Sequence, residues 1–190
     1  MHELIEKRWS ARGYDPHGEV TVAAVTDILE AGRWAPTWGR LQPVRFVVGL
    51  RGDDTFERLV AVLNRGNKSW APAAGALILL CTTDDADDVK PHDYGGVDLG
   101  FAAAQMSLEA VAQGLIPHPM AGFDAVAARE VFDIPDDKRP MLILAIGVLA
   151  DDPATLADEV RERDEMPRQR LPLHQIAFTG EWGRPFTDAG

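Results

Sequence analysis

The chain has a single cysteine in 190 residues, Cys81, so no disulfide framework can brace it and no set of thiolates can hold a zinc ion. That cysteine closes the apolar run Ala76-Leu77-Ile78-Leu79-Leu80-Cys81, where a buried, inert thiol is expected. Basic residues are also scarce. Nineteen Lys and Arg against thirty Asp and Glu give a formal charge of −11, which repels nucleic acid and anionic lipid and leaves no basic face to spread over either. Long apolar runs are missing as well. The longest, Met141 to Ala150, falls short of a membrane span, and the first residues carry Glu3, Glu6, Lys7 and Arg8 where a signal sequence has an apolar core. The expectation is a cytoplasmic protein with neither nucleic acid nor membrane as partner, folded as one domain over residues 1–190.

The usual signatures of autonomous chemistry are absent too. No G-x-G-x-x-G follows a strand and no G-x-x-x-x-G-K-[ST] occurs, so neither a Rossmann dinucleotide site nor a P-loop is indicated. The five histidines, at 2, 17, 92, 118 and 174, fall at no metal-ligand spacing. There is no G-x-S-x-G elbow, and Cys81 has no flanking base, which argues against a covalent hydrolase. A bound organic cofactor is then one candidate for the source of the chemistry.

Three short, apolar, branched segments read as buried strands: Val44 to Leu50, Ala76 to Thr82 and Met141 to Leu149. Between them, apolar residues recur at helical spacing in Val20 to Arg33 (Val25, Ile28, Leu29) and in Asp53 to Leu63 (Phe56, Leu59, Val60, Leu63). The stretch Val97 to Gln113 is apolar on nearly every side until Gly114 stops it, so it is either the central helix or one partly covered by another subunit. Asp84, Asp85, Asp87 and Asp88 read as a solvated loop. Beyond Asp151 the polarity rises, and Pro167, Pro172 and Pro185 interrupt a tail that is expected to wrap something.

Arg8, Ser10 and Arg12 alternate at the end of a first short helix. Two fixed cations and a hydroxyl can converge on one phosphate, although a solvated charged turn has the same composition. Arg168 and Arg170 in the tail are open to the same two readings.

The order of the motifs adds weight. The chain opens with Ile5-Glu6-Lys7-Arg8-Trp9-Ser10-Ala11-Arg12, then runs Ala35-Pro36-Thr37 through Gln42-Pro43 into the first strand. Gly66-Asn67 and Trp70 follow, then Asp98-Leu99-Gly100, Gly114-Leu115 and His118-Pro119-Met120-Ala121-Gly122-Phe123-Asp124. Ile134-Pro135-Asp136, Ala145-Ile146-Gly147, Pro167-Arg168-Gln169-Arg170-Leu171-Pro172-Leu173 and Trp182-Gly183 complete the series. In this order the motifs resemble those of the nitroreductase family across nearly the whole chain.

The resemblance implies an α+β fold with a central, mostly antiparallel sheet flanked by helices. It further implies an interlocked homodimer with one FMN at each of two shared sites, and residues 168–190 as a tail wrapping the partner subunit. Arg8, Trp9, Ser10 and Arg12, with Arg168 and Arg170, would hold the phosphate and the ribityl and O2 side of the flavin. Pro36, Thr37, Trp38, Arg40 and Gln42 would reach the site from the partner. Asn67 would bond the pyrimidine edge, for which a side-chain amide has both a donor and an acceptor, although a turn role after Gly66 fits it as well. Pro119, Met120, Ala121 and Gly122 would run past the ring, with the N–H of Ala121 or Gly122 at N5 and Gly122 permitting the close approach. An ordinary turn is the alternative there. His118 would lie near the flavin and influence proton delivery, or else serve as a structural turn residue.

This chain departs from its relatives in places. Arg40 stands where many carry asparagine, Val44 replaces a tryptophan, Ala74-Gly75 replaces Ala-Pro, and Ala121 replaces the glutamate of one subset. Between Cys81 and Asp98 there is no room for a long covering excursion, so the site should be comparatively open. The implied activity is ping-pong transfer of hydride from NAD(P)H, a transient donor, through flavin N5 to a small oxidised acceptor: a nitroaromatic, a quinone or an enal. A flavin carrier or sensor without turnover, and a relative that consumes FMN as substrate, are the alternatives.

Overall fold

The computed structural model describes residues 1–39, 41–84 and 89–186; Arg40 and three of the four clustered aspartates, Asp85, Asp87 and Asp88, lie outside them. In chain order the elements are α1 (Glu3–Lys7), α2 (Val22–Arg33), β1 (Arg45–Leu50), α3 (Asp54–Val62), α4 (Arg65–Lys68), β2 (Ala76–Thr83), α5 (Val89–Ala112), β3 (Ile116–Met120), α6 (Ala125–Val131), β4 (Lys138–Gly147) and α7 (Asp158–Glu165). The four strands form one antiparallel sheet in the order β1-β2-β4-β3.

Alternation along the central strands sorts side chains into two cores, because successive residues of a strand face opposite sides. Leu77 and Leu79 of β2 join Ile143 and Ala145 of β4 under Phe56 and Leu59 of α3, Ala128 of α6 and Val160 of α7. Ile78 and Leu80 join Leu144 and Ile146 under Val25 and Ile28 of α2 and Leu99, Met106 and Ala110 of α5. Leu79 and Ile78 are fully buried, so each contributes about 1.5–3 kcal/mol by leaving water. Cys81 is buried with the first set, and burial pushes its thiol up to about 11, which keeps it inert.

Capping fixes the helix starts: Thr21 accepts from the Ala24 N–H, Asp53 from Phe56, and Asp124 from Val126 and Ala127. Gly114, with φ of 77°, ends the path out of α5 in the left-handed region as its sequence position suggests.

Two elements differ from the expectation. α5 begins at Val89, not near Val97. Pro91 falls in its first turn, where no backbone N–H is needed, and Gly95 lets the helix press on β2: a Cβ there would lie 2.6 Å from Thr82 Oγ1. The Thr82 hydroxyl donates to the Gly95 carbonyl at 2.9 Å. The second difference is β3 itself, the stretch Ile116-Pro117-His118-Pro119-Met120, which carries two prolines that cannot donate to a ladder. It forms only as an edge strand, paired on one side with β4 and with His118 opposite Ala145. α5 buries Leu99, Met106 and Ala110 but leaves Val97 and Phe101 about half exposed, at 50% and 47%.

Candidate functional site

The site is assembled from both ends of the chain. α1 ends at Arg8, whose extended backbone starts a segment running to Tyr14. Tyr14 anchors that segment: it bridges to Leu149, and its buried hydroxyl donates toward the carbonyls of Ile116 at 3.1 Å and Ala145 at 3.3 Å. Ala11 faces inward and is fully buried. From the other end of the chain, Asp164 of α7 accepts the backbone N–H groups of Arg12 at 2.9 Å and Gly13 at 2.8 Å. The tail then turns back over α1, and Arg168 Nη1 donates to the carbonyls of Glu6 at 2.9 Å and Arg8 at 3.2 Å.

The result is a cavity of about 350 Å³ lined by Arg8, Trp9, Ser10, Arg12, Arg168 and Arg170, with His118, Arg163 and Asp164 completing the wall. Arg8 Nη1 donates to Ser10 Oγ at 3.2 Å. Burial, and then the charges of Arg170 and Arg168, lower the pKa of Arg8 below the ordinary guanidinium value. Among the described residues no carboxylate forms a salt bridge with Arg8, Arg12, Arg168 or Arg170. The carboxylate in the wall, Asp164, is engaged with the two backbone N–H groups. Gathered cations without counter-ions raise the free energy of the chain, and an anion seated among them relieves it.

Trp70 backs the cavity. Its ring lies 4.4 Å from that of His118 and 5.7 Å from the Arg12 guanidinium carbon, centroid distances that suit stacking and cation–π contact. His118, on β3, pairs its Nδ1 with the Ala11 carbonyl at 2.8 Å, and because a carbonyl only accepts, Nδ1 carries the proton.

Asn67 and Gly122 form a second feature. Asn67 Nδ2 donates to the Gly122 carbonyl at 2.9 Å, and the Asn64 N–H donates to the same oxygen at 3.0 Å. A Cβ on residue 122 would lie 2.8 Å from Asn67 Nδ2, so any larger residue there would push the Asn67 amide from its place. Asn67 is left with a carbonyl oxygen to offer, and the Gly122 N–H donates to no backbone acceptor among the described residues. Of its neighbours, Met120 turns its side chain into the core, while Pro119 lines an apolar groove with Ile5, Leu99 and Leu142. Ala121 is exposed.

The 36–42 segment is held elsewhere. The Trp38 N–H donates to the buried Asp98 carboxylate at 3.0 Å, and the Trp38 ring stacks on Tyr94 with centroids 5.1 Å apart. Thr37 and Gln42 line a separate cavity of about 260 Å³ with Arg33, Arg45 and Asp98. Gln42 has φ of 46°, strained for a residue with a side chain, and Arg45 Nη1 grips its carbonyl at 2.6 Å. Pro36 lies exposed beside them, and Arg40 falls outside the described residues. Within one chain, then, Arg8, Arg12, Arg168 and Arg170 meet in one cavity and Thr37 and Gln42 in another.

The sequence model of the nitroreductase family matches residues 5–64 and 51–148, most of the segment that builds these features. The chain belongs to the nitroreductase family. An FMN-containing oxidoreductase of solved structure is 29% identical and superposes with a TM-score of 0.86 over 97% of this chain and 93% of its own. The nitroreductase fold is therefore established, with its α+β arrangement around an antiparallel sheet. A 15.4 kDa Mycolicibacterium smegmatis protein encoded in the ask 5′ region is 49% identical over 150 residues, 75% of this chain and 99% of its own. A Streptomyces coelicolor protein named as an NADH dehydrogenase/NAD(P)H nitroreductase is 29% identical over 170 residues, 77% of this chain and 78% of its own.

Asp164 sits in a charged run that reads as a solvated face, and yet it positions Arg12 from 152 residues away, a role with no signal in the sequence. Asp98 also went unmarked as a ligand of the Trp38 backbone. The available signal was a carboxylate early in the largely apolar stretch that begins at Val97.

Proposed function

We propose that this member of the nitroreductase family is an FMN-dependent oxidoreductase that passes reducing equivalents from NAD(P)H to a small oxidised acceptor such as a nitroaromatic, quinone or enal. The observation that carries the reading is the arginine cavity, where Arg8, Arg168 and Arg170 gather with a serine hydroxyl and, among the described residues, form no salt bridge to a carboxylate. Such a cradle fits a phosphate monoester, which carries nearly two negative charges and several acceptor oxygens. Arg8, Ser10, Arg168 and Arg170 would hold that phosphate. Trp9 would flank it, and Arg12, steadied by Asp164 and Trp70, would face the O2 side of the ring. Asn67 would offer its free carbonyl oxygen to the pyrimidine edge, and the N–H of Ala121 or Gly122 would face N5. Pro119 and Met120 would contribute backbone alone there. The similarity to an FMN-containing oxidoreductase and to a protein named as an NAD(P)H nitroreductase supports the choice of FMN and NAD(P)H.

When bound, FMN supplies a two-electron relay that a transient nicotinamide and then an acceptor can use in turn at one place, which is ping-pong order. Such a nicotinamide needs no Rossmann fingerprint. Pro36, Thr37, Trp38 and Gln42, held away from Arg8, Arg168 and Arg170 in their own chain, would complete the flavin site of a second copy together with Arg40. The exposed Val97 and Phe101 of α5 and the exposed apolar residues of the tail, Leu171, Leu173 and Ile176, would be covered in the same homodimer.

Steady-state turnover of NADPH and NADH with a nitroaromatic or quinone tests the reading, with FMN assayed before and after. Sustained oxidation with FMN intact is expected. FMN bound without turnover would leave a carrier or sensor, and FMN lost in proportion to NAD(P)H would make it the substrate.

A further inference from the structure

We propose that His118 is a proton-linked contact for the anion in the arginine cavity, taking up a proton as a phosphate enters and donating from Nε2 to it. This rests on the FMN reading and adds to it a residue and a pH dependence that the arginines alone do not supply.

The geometry leaves His118 one free face. Nδ1–H is committed to the Ala11 carbonyl at 2.8 Å, the ring packs at a tilt against Trp70, and the side chain lines the cavity with Arg8, Ser10 and Arg12. Nε2 forms no hydrogen bond to a described residue, and it is the remaining polar atom of the ring. In the neutral tautomer that Ala11 imposes, Nε2 carries a lone pair, which repels a phosphate oxygen. Once protonated, the same atom becomes a charged donor.

The surrounding charges favour a switch between these states. From the N-terminal segment His118 is faced by Arg12 and Arg8, from α7 by Asp164 and Arg163, and from the tail by Arg168 and Arg170. The Tyr14 hydroxyl, which lies nearby beyond Trp70, is occupied by the carbonyls of Ile116 and Ala145. Burial above all holds the imidazole below its ordinary value; the Ala11 bond and Asp164 oppose this, while Arg12 and Arg8 add to it. A phosphate seated among the arginines cancels their push and adds an attraction of its own, so the bound value rises above the free one. Protons are then taken up between the two values, in a window whose lower edge lies below the ordinary imidazole value, and none are exchanged well below the free value or well above the bound one.

Isothermal titration of FMN into apoprotein, in buffers of different ionisation heat from pH 6 to 9, reads the proton count directly. The phosphate itself releases protons on entering a cationic site, so the quantity that counts is the difference between wild type and variants. His118→Asn keeps a donor where Nδ1 stands and so preserves the bond to Ala11, and His118→Gln places an amide near Nε2; neither can take a charge. Within that window wild type should take up on the order of half a proton more per FMN than either variant. The variants should lose FMN affinity about tenfold at pH 6 but little at pH 9, with riboflavin affinity unchanged throughout. Equal proton counts in wild type and both variants, with FMN still preferred over riboflavin, would overturn the role of His118 and leave the FMN reading standing. A wild-type protein that binds the two flavins alike, or neither, would overturn both.

Discussion

Replacing Arg170 by alanine removes one of the five guanidinium groups that line the cavity and leaves the flavin-ring contacts untouched. A charge-assisted bond from such a group to phosphate contributes about 1.5–3 kcal/mol, which corresponds to roughly ten- to a hundredfold in affinity. Arg170 is exposed and therefore partly screened, so the effect should fall toward the lower end of that range and shrink as salt is added. Riboflavin has the same ring and ribityl chain without the phosphate, and its affinity should not change. Because Arg170 also repels Arg8, the ligand-free variant should be no less stable than wild type. Fluorescence titration of both flavins against wild type, Arg8→Ala and Arg170→Ala makes the comparison, with urea unfolding of each apoprotein alongside. FMN bound as tightly by both variants as by wild type would refute the phosphate cradle. Parallel losses for FMN and riboflavin, together with a lower unfolding midpoint, would point to a folding role instead.

Asp164→Ala strands the N–H groups of Arg12 and Gly13, which should cost about 1–3 kcal/mol in urea unfolding and weaken FMN binding by loosening Arg12. Gly122→Ala puts a methyl 2.8 Å from Asn67 Nδ2, and since it disturbs the ring edge and not the phosphate, FMN and riboflavin should weaken together. Sedimentation should find a dimer, and Phe101→Glu on the exposed face of α5 should dissociate it and lower flavin affinity, because the 36–42 segment is then lost to the site. A flavin-loaded wild-type monomer would contradict that arrangement.

Much of the sheet was legible because the central strands β2 and β4 carry apolar runs of branched residues, which burial on both faces demands, and the edge strand β1 carries a shorter run of the same kind. β3 was not, since Pro117 and Pro119 break both the composition and the ladder, and only pairing to β4 on one side makes the segment a strand. The true start of α5 was hidden because Pro91 and Gly95-Gly96 read as breakers, whereas one sits in a first turn and Gly95 is a contact point against Thr82. In the site, the arginines could be read from their order along the chain. Their convergence could not, because it depends on Asp164 and on Arg168 reaching back to the carbonyls of Glu6 and Arg8, contacts between residues about 150 or more positions apart.

The most direct test is the absorption spectrum of FMN-loaded protein under anaerobic conditions, recorded before and after one equivalent of NADPH or NADH and again after adding a quinone or nitroaromatic. The flavin band should bleach with at least one of the two nicotinamides and return when the acceptor is added. Protein that takes up no FMN, or holds FMN whose band neither nicotinamide bleaches, would contradict the account.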